Sequence, residues 1–242
     1  MSQKLRVDGQ TAFLLHSYPY SETSLIADVF SRDYGRLPLL ARGARRPKSA
    51  LRGLLIGFQP LELGWFGAGE VKTLAKAEWL GGIPLLAGRC LLLGYYLNEL
   101  LISLLAREDA HPILFDSYVS ALQALAHGAE DAPELRKFEV RLLRELGYGL
   151  RLETDAQTGS DIDATRRYLY QVERGPVPQV GAGDTAIDAS VTGKTLLDMR
   201  ADDYSDPVTR RESRRIMRQL ISHHLGGRPL QSRRVYMELQ GM

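Results

Sequence analysis

One cysteine, Cys90, stands in a sequence of 242 residues. That excludes an intramolecular disulfide and any multi-cysteine metal cluster, and it suits a reducing compartment. Histidine is almost as sparse: His16, His111 and His127 are isolated, and the adjacent His223 and His224 would point apart on a helix. No metal site is expected from such a set. Neither a Gly-X-Y period nor a sustained heptad is present, which excludes a collagen-like or coiled-coil rod. The greasiest stretch, residues 83–105, is interrupted by Arg89 and Glu99. A spanning helix needs about 20 nearly uncharged apolar residues, so this stretch reads as a buried core helix. The opening Met1-Ser2-Gln3-Lys4-Leu5-Arg6-Val7-Asp8 carries two basic residues with no apolar run after them, unlike a secretory signal. A soluble cytoplasmic protein without a membrane partner is expected.

Catalytic signatures are missing too. There is no HExxH, GxSxG or dinucleotide fingerprint. Thr192-Gly193-Lys194-Thr195 resembles the end of a phosphate-binding loop, but Asp188 stands where that loop needs glycine, and its carboxylate would repel a phosphate. No carboxylate pair is marked as a catalytic dyad. The sequence therefore predicts no catalytic residue, no metal and no cofactor.

What is present is an ordinary globular composition, 44% hydrophobic and 25% charged. The net charge of +2 conceals an uneven distribution. Residues 1–80 hold 11 Lys and Arg against 7 Asp and Glu, and residues 207–242 hold 8 against 2. Between them residues 81–152 are net −2 and residues 153–206 net −6. Basic ends around an acidic middle suit a polyanionic partner. A solvated surface of uneven charge is the competing reading.

Residues 1–80 read as β-structure, with strands at about 11–17, 23–30, 36–42, 54–66 and 71–79. Turn-prone stretches separate them, and the long fourth run would bend at Gly57, Pro60 and Gly64. Five short strands punctuated in this way predict a small barrel or sandwich. After Pro84 the period becomes helical: Leu93, Leu97, Leu100, Leu101, Leu104 and Leu105 share a face. Further helices are expected at 111–127, with Pro112 in the first turn, and at 133–146, ending at Gly147. A polar insert at about 150–190 includes a short strand at 167–173, and 192–199 forms a short helix. Asp206-Pro207 caps a helix that runs to about 225, and a last helix covers 232–239. The predicted architecture is α+β, with an N-terminal small β-barrel over 1–80 and a helical domain over 81–242.

Two groups of cations are candidates for phosphate binding. The window 34–61 contains Arg36, Arg42, Arg45, Arg46, Lys48 and Arg52 and no acidic residue. Forked or mobile cations without competing carboxylates are what phosphate neutralisation needs. Arg36 and Arg42 fall on one face of their strand, and Lys72 and Lys76 on a later strand extend the set. Nearby aromatic residues, including Tyr18, Tyr20, Tyr34, Trp65 and Phe66, could stack on bases, whereas Phe30 and Phe58 suit the core. The second group lies on the helix from Pro207. Arg210, Arg214 and Arg218 form a stripe, with Arg211 and Arg215 beside it and Ile216, Met217, Leu220 and Ile221 opposite.

Five stretches, in order, carry a resemblance. They are His16-Ser17-Tyr18-Pro19-Tyr20-Ser21-Glu22-Thr23-Ser24, the basic segment 35–49, Asn98-Glu99-Leu100-Leu101, the run FEVRLLRELGYG at 138–149, and HLGGRPLQSRR at 224–234. With them the chain resembles the bacterial RecO family of DNA repair and recombination mediators. The resemblance implies an OB-fold followed by a helical domain, binding to single- and double-stranded DNA, and annealing of complementary strands. It also implies two protein partners, RecR and the acidic C-terminal tail of single-stranded-DNA-binding protein, and a role in loading RecA at the nucleoid. Many relatives carry a four-cysteine zinc site after the LGYG motif. Here Arg151 to Gly159 contain no cysteine, so zinc is not expected and the insert should be held by packing alone. An acidic tail ending in an apolar residue and a free carboxylate needs a greasy pocket with a cation at its rim. Phe138 and Leu142 beside Arg136, Lys137 and Arg141 are the candidates. The rival class is a protein–protein scaffold whose basic surfaces meet acidic proteins, with DNA binding incidental.

Overall fold

The computed structural model describes residues 6–148, 150–179 and 190–240. Residues 1–5 of the supposed non-signal start, Gly149 of the LGYG run, and 180–189 of the insert, with Asp188, lie outside the described residues. The chain divides into two compact units, Met1–Ala129 with Leu230–Met242, and Glu130–Pro229.

The first unit begins with five strands, β1 (Arg6–Pro19), β2 (Leu25–Ser31), β3 (Gly35–Ala41), β4 (Pro60–Phe66) and β5 (Lys72–Trp79). They close into a barrel in the order β1-β2-β3-β5-β4. All neighbours are antiparallel except β3 and β5, which are parallel. This is the five-stranded barrel of the OB-fold. The long β1 makes closure possible, because it pairs with β4 through residues 6–13 and with β2 through residues 12–19. Register shifts between Val7 and Gln10 and between Leu14 and His16 bend it around the barrel.

Alternation along the strands sends Ala12, Leu14, Ala27, Val29, Leu37, Leu39, Leu61, Leu63 and Trp65 into the barrel core. The opposite face of β1 and β2 is buried as well. Phe13 and Phe30 lie there, their ring centroids 5.6 and 5.3 Å from that of Phe115. Phe115 belongs to α3 (Pro112–Ala126), which follows α2 (Gly88–Leu104). Phe30 is thus buried outside the barrel core, under a helix. A polar clasp joins the same elements: Asn98 Nδ2 of α2 donates to Leu15 O at 2.9 Å, and Tyr118 Oη of α3 donates to Asn98 Oδ1 at 2.6 Å. The last helix of the chain, α7 (Gln231–Gln240), also belongs to this unit, and its Gln231 and Ser232 backbone N–H groups donate to the Glu99 carboxylate of α2 at 2.7 and 2.9 Å. A carboxylate at a helix N-terminus satisfies otherwise unpaired donors.

One sequence expectation changes here. The strand expected over 54–66 is instead a short helix, α1 (Leu51–Leu54), a turn, and β4 from Pro60. Phe58 has φ of +66° at that turn and packs on Tyr95 at 5.1 Å between ring centroids.

The second unit contains α4 (Asp131–Glu145), a three-stranded sheet ordered β7-β6-β8, α5 (Gly193–Arg200) and α6 (Pro207–His224). Its strands are β6 (Arg167–Gln171), β7 (Gly175–Pro178) and β8 (Ser190–Thr192). Val140 and Leu143 of α4, Tyr168 and Tyr170 of β6, and Ile216, Met217 and Leu220 of α6 share one core. The start of the insert is held by more than packing, which corrects the expectation. Asp155 accepts the Gln157 N–H at 2.7 Å, Tyr170 Oη accepts the Arg151 N–H at 3.1 Å, and Tyr168 Oη accepts the Asp163 N–H at 3.0 Å. The phosphate-loop look-alike is a helix cap: Thr192 Oγ1 accepts the Thr195 N–H at 3.2 Å. The Glu212 carboxylate fills the adjoining space, accepting from Thr192 N at 2.8 Å, Thr195 Oγ1 at 2.7 Å and Arg167 at 3.1 Å. Burial disfavours the charge of Glu212, but these donors outweigh it and hold the carboxyl below its ordinary range.

Candidate nucleic-acid interface

Among the described residues, the cations of the window 34–61 separate into two kinds. Arg36 leaves β3 on its outer face, whereas Arg42, expected on the same face, lies in the turn beyond the strand's end at Ala41. Arg36 meets Asp28 of β2, with Nε at 3.0 Å and Nη2 at 2.7 Å from the carboxylate oxygens, and its Nη1 donates to Ile102 O near the C-terminus of α2. The two side chains are only 12% and 3% exposed. Arg36 is therefore a buried ion pair at a helix end and not a DNA ligand. Lys72 is corrected in the same way, because its buried ammonium donates to Glu108 and, at 3.2 Å, to Gly69 O. Lys76 reaches solvent but lies 3.1 Å from Glu62 and 3.0 Å from Glu78. Hydrogen bonds that its ammonium donates to Glu78 and Glu62 raise its pKa, and the two carboxylates cancel its attraction for a phosphate.

Arg42, Arg45, Arg46, Lys48 and Arg52 are all exposed, and among the described residues none has an acidic partner. They stand on the segment from the end of β3 to α1. Its shape is fixed by hydrogen bonds to neutral groups: Arg46 N–H donates to Gly43 O at 3.1 Å, and Ser49 N–H to Arg46 O at 3.0 Å. Gly43 sits at φ of +68°, which glycine adopts without penalty. The turn between β1 and β2 braces the segment, since Arg45 N–H donates to Thr23 O at 2.9 Å and Arg45 Nη1 donates to Ser21 O at 2.7 Å. Tyr18 and Tyr20 flank this turn and are exposed, whereas Trp65 is core and Tyr34 rests edge-on against it at 5.2 Å. A cleft of about 280 Å³ opens beside the segment, lined by Leu25, Ala44, Arg45, Leu51, Arg52 and Leu55. Neither the cleft nor the brace is visible in the sequence, because both join β2 to residues about 20 positions away.

In the second unit, α6 buries Ile216, Met217, Leu220 and Ile221, as its periodicity predicted. Arg211, Arg214 and Arg218 form an exposed stripe with no acidic partner among the described residues. Arg210 and Arg215 do not share it: Arg210 Nη1 meets Glu130 at 2.6 Å, and Arg215 donates to Ser190 O.

The residues assigned to a partner tail do not form a groove. Phe138 and Leu142 are 1% and 0% exposed, inside the core face of α4. Arg136 Nη2 binds Glu139 at 2.5 Å, and Lys137 binds Glu134 at 2.9 Å. Arg141 is half-buried without an acidic partner among the described residues. Among these residues there is also no cluster of three or more potential metal ligands, and no helix is long and apolar enough to cross a membrane.

Fold and surface together define an OB-fold protein with a rim of cations that, among the described residues, have no acidic partner. Residues 7–83 match the family model described as Recombination protein O N terminal, and residues 88–234 match Recombination protein O C terminal. Proteins named DNA repair protein RecO are similar over nearly the full chain. That of Aromatoleum aromaticum is 56% identical over 240 residues, 99% of both chains. Those of an Azoarcus species and of Dechloromonas aromatica are 53% and 54% identical, again over 99% of each chain. The chain belongs to the Recombination protein O family.

Proposed function

We propose that the chain is a DNA repair and recombination mediator that binds single- and double-stranded DNA through the rim formed by Arg42, Arg45, Arg46, Lys48 and Arg52. The observation that carries this reading is that five exposed cations stand together and, among the described residues, none is paired with a carboxylate. The family membership and the relatives' printed name support the repair role. Phosphate contacts hold a strand without reading it. Annealing follows physically, because cations screen the repulsion between two strands and leave their base edges free to pair. The stripe Arg211, Arg214 and Arg218 offers a second phosphate surface on the other unit. No bond-breaking step and no cofactor enter this reading.

With RecR, the chain helps load RecA onto DNA coated by single-stranded-DNA-binding protein, in the cytoplasm at the nucleoid. The acidic tail of the coating protein is a partner. Of the residues first assigned to that tail, Arg141 keeps a cation without an acidic neighbour among the described residues, and its apolar end is not seated by Phe138 and Leu142. The test is annealing of complementary oligonucleotides coated by the single-strand-binding protein, with its tail present or deleted. Acceleration that depends on the tail supports the mediator. A basic surface that binds acidic proteins and leaves annealing unchanged would identify a scaffold instead.

A further inference from the structure

The cleft beside the basic segment has a composition that phosphate binding does not explain. It is lined by Leu25, Ala44, Leu51 and Leu55 together with Arg45 and Arg52. The leucines pack against the barrel core and are only partly buried, and a phosphate would leave their open edges uncovered. A flat, apolar-faced heterocycle with polar edges satisfies both, since guanidinium groups stack on aromatic faces. We propose that this cleft takes one unpaired base of a single DNA strand, with a guanidinium of Arg45 or Arg52 against its face. The proposal rests on the DNA-binding reading above and deepens it.

Three observations favour a base. At about 280 Å³ the cleft lies just below the range of about 300–1,000 Å³ typical of small-molecule pockets, which suits one ring system. Arg45 is held in place by Thr23 O, which accepts its backbone N–H, and by Ser21 O, which accepts from Nη1 and orients the guanidinium without neutralising it. Arg42, Arg46 and Lys48 continue the cationic segment around it, as a polymer with a charge at every unit requires. A duplex keeps its bases stacked inside and cannot feed one into a concave site, so occupancy of the cleft distinguishes single from double strands.

The test compares, on the intact chain, an oligonucleotide with a fully abasic strand of equal length and phosphate number. The proposal expects the abasic strand to bind about fivefold or more weakly, with the same dependence on salt. The double variant Arg45→Lys with Arg52→Lys keeps both charges and removes both planar groups. It should lose about fivefold more affinity for the base-bearing strand than for the abasic one. Because the first comparison needs no variant, it stands even if the variant folds poorly. Equal binding of the two strands overturns the proposal, as does an equal effect of the variant on both. Displacement of a bound acidic apolar-ended peptide from the cleft, with bases making no difference, overturns it in favour of a peptide site. Failure of both strands to bind in a salt-dependent way would instead refute the DNA-binding reading itself.

Discussion

Removing Arg46 and Lys48 together should change how strongly salt weakens DNA binding. Both side chains are exposed and have no acidic partner among the described residues, so truncating them leaves no buried group unsatisfied. Their loss should change folding stability by no more than about 0.5 kcal/mol. If each of the five rim cations neutralises one phosphate of a single strand, the log–log slope of affinity against salt is about −3.5. Raising salt from about 50 mM to about 200 mM then lowers affinity about 130-fold. With Arg46→Ala and Lys48→Ala three cations remain, the slope becomes about −2.1, and the same change in salt costs about 20-fold. Fluorescence anisotropy with a labelled oligonucleotide across a salt series measures both slopes. An unchanged slope in the double variant would refute the placement of the phosphates on this rim. A reduced affinity at an unchanged slope would mean that the two residues act through something other than charge.

Other perturbations separate structure from function. Arg36→Ala leaves the Asp28 carboxylate buried and unpaired, so thermal unfolding should show a loss of about 3 kcal/mol while the salt slope of the folded protein stays the same. Gly35→Ala should also destabilise, by about 2 kcal/mol or more, because Gly35 sits at φ of +66° and an added Cβ would stand 1.9 Å from the Asp109 carbonyl oxygen. Glu212 titrates below its ordinary range in the folded protein, so it stabilises the second unit above the unfolded carboxyl pKa, and that contribution disappears as pH falls through the lower folded value. Glu212→Gln should lower stability at neutral pH by about 3 kcal/mol and flatten the acid limb of the unfolding profile, which denaturant melts at several pH values would show.

The sequence displayed the architecture more fully than the site. Strand alternation and helical periodicity are local properties, so four of the five barrel strands and the apolar sides of α2 and α6 could be read directly. The turn before β4 could not, because its apolar residues 54–58 are compatible with a strand, a short helix or a loop until Phe58 finds Tyr95. Charge in sequence was a weaker guide. Arg36 lies on β3 and Arg42 in the turn just beyond it, and α2 returns from more than 60 residues away to cover the first while the second stays in solvent. Lys72 is neutralised by Glu108, which is 36 positions distant. On α4 the pattern placed Phe138 and Leu142 on one side, but periodicity cannot say whether an apolar side faces a partner or the protein's own core. Residues 42–52 stay an exposed cationic rim because, unlike Arg36 in the same acid-free run, their cations meet no acidic side chain among the described residues.

Amide hydrogen exchange of the intact chain, with and without a saturating single-stranded oligonucleotide, tests the central claim most directly. The account predicts slowed exchange across residues 42–55 and the turn at 20–24. Slowing confined to other parts of the chain, with that rim unchanged, would contradict it.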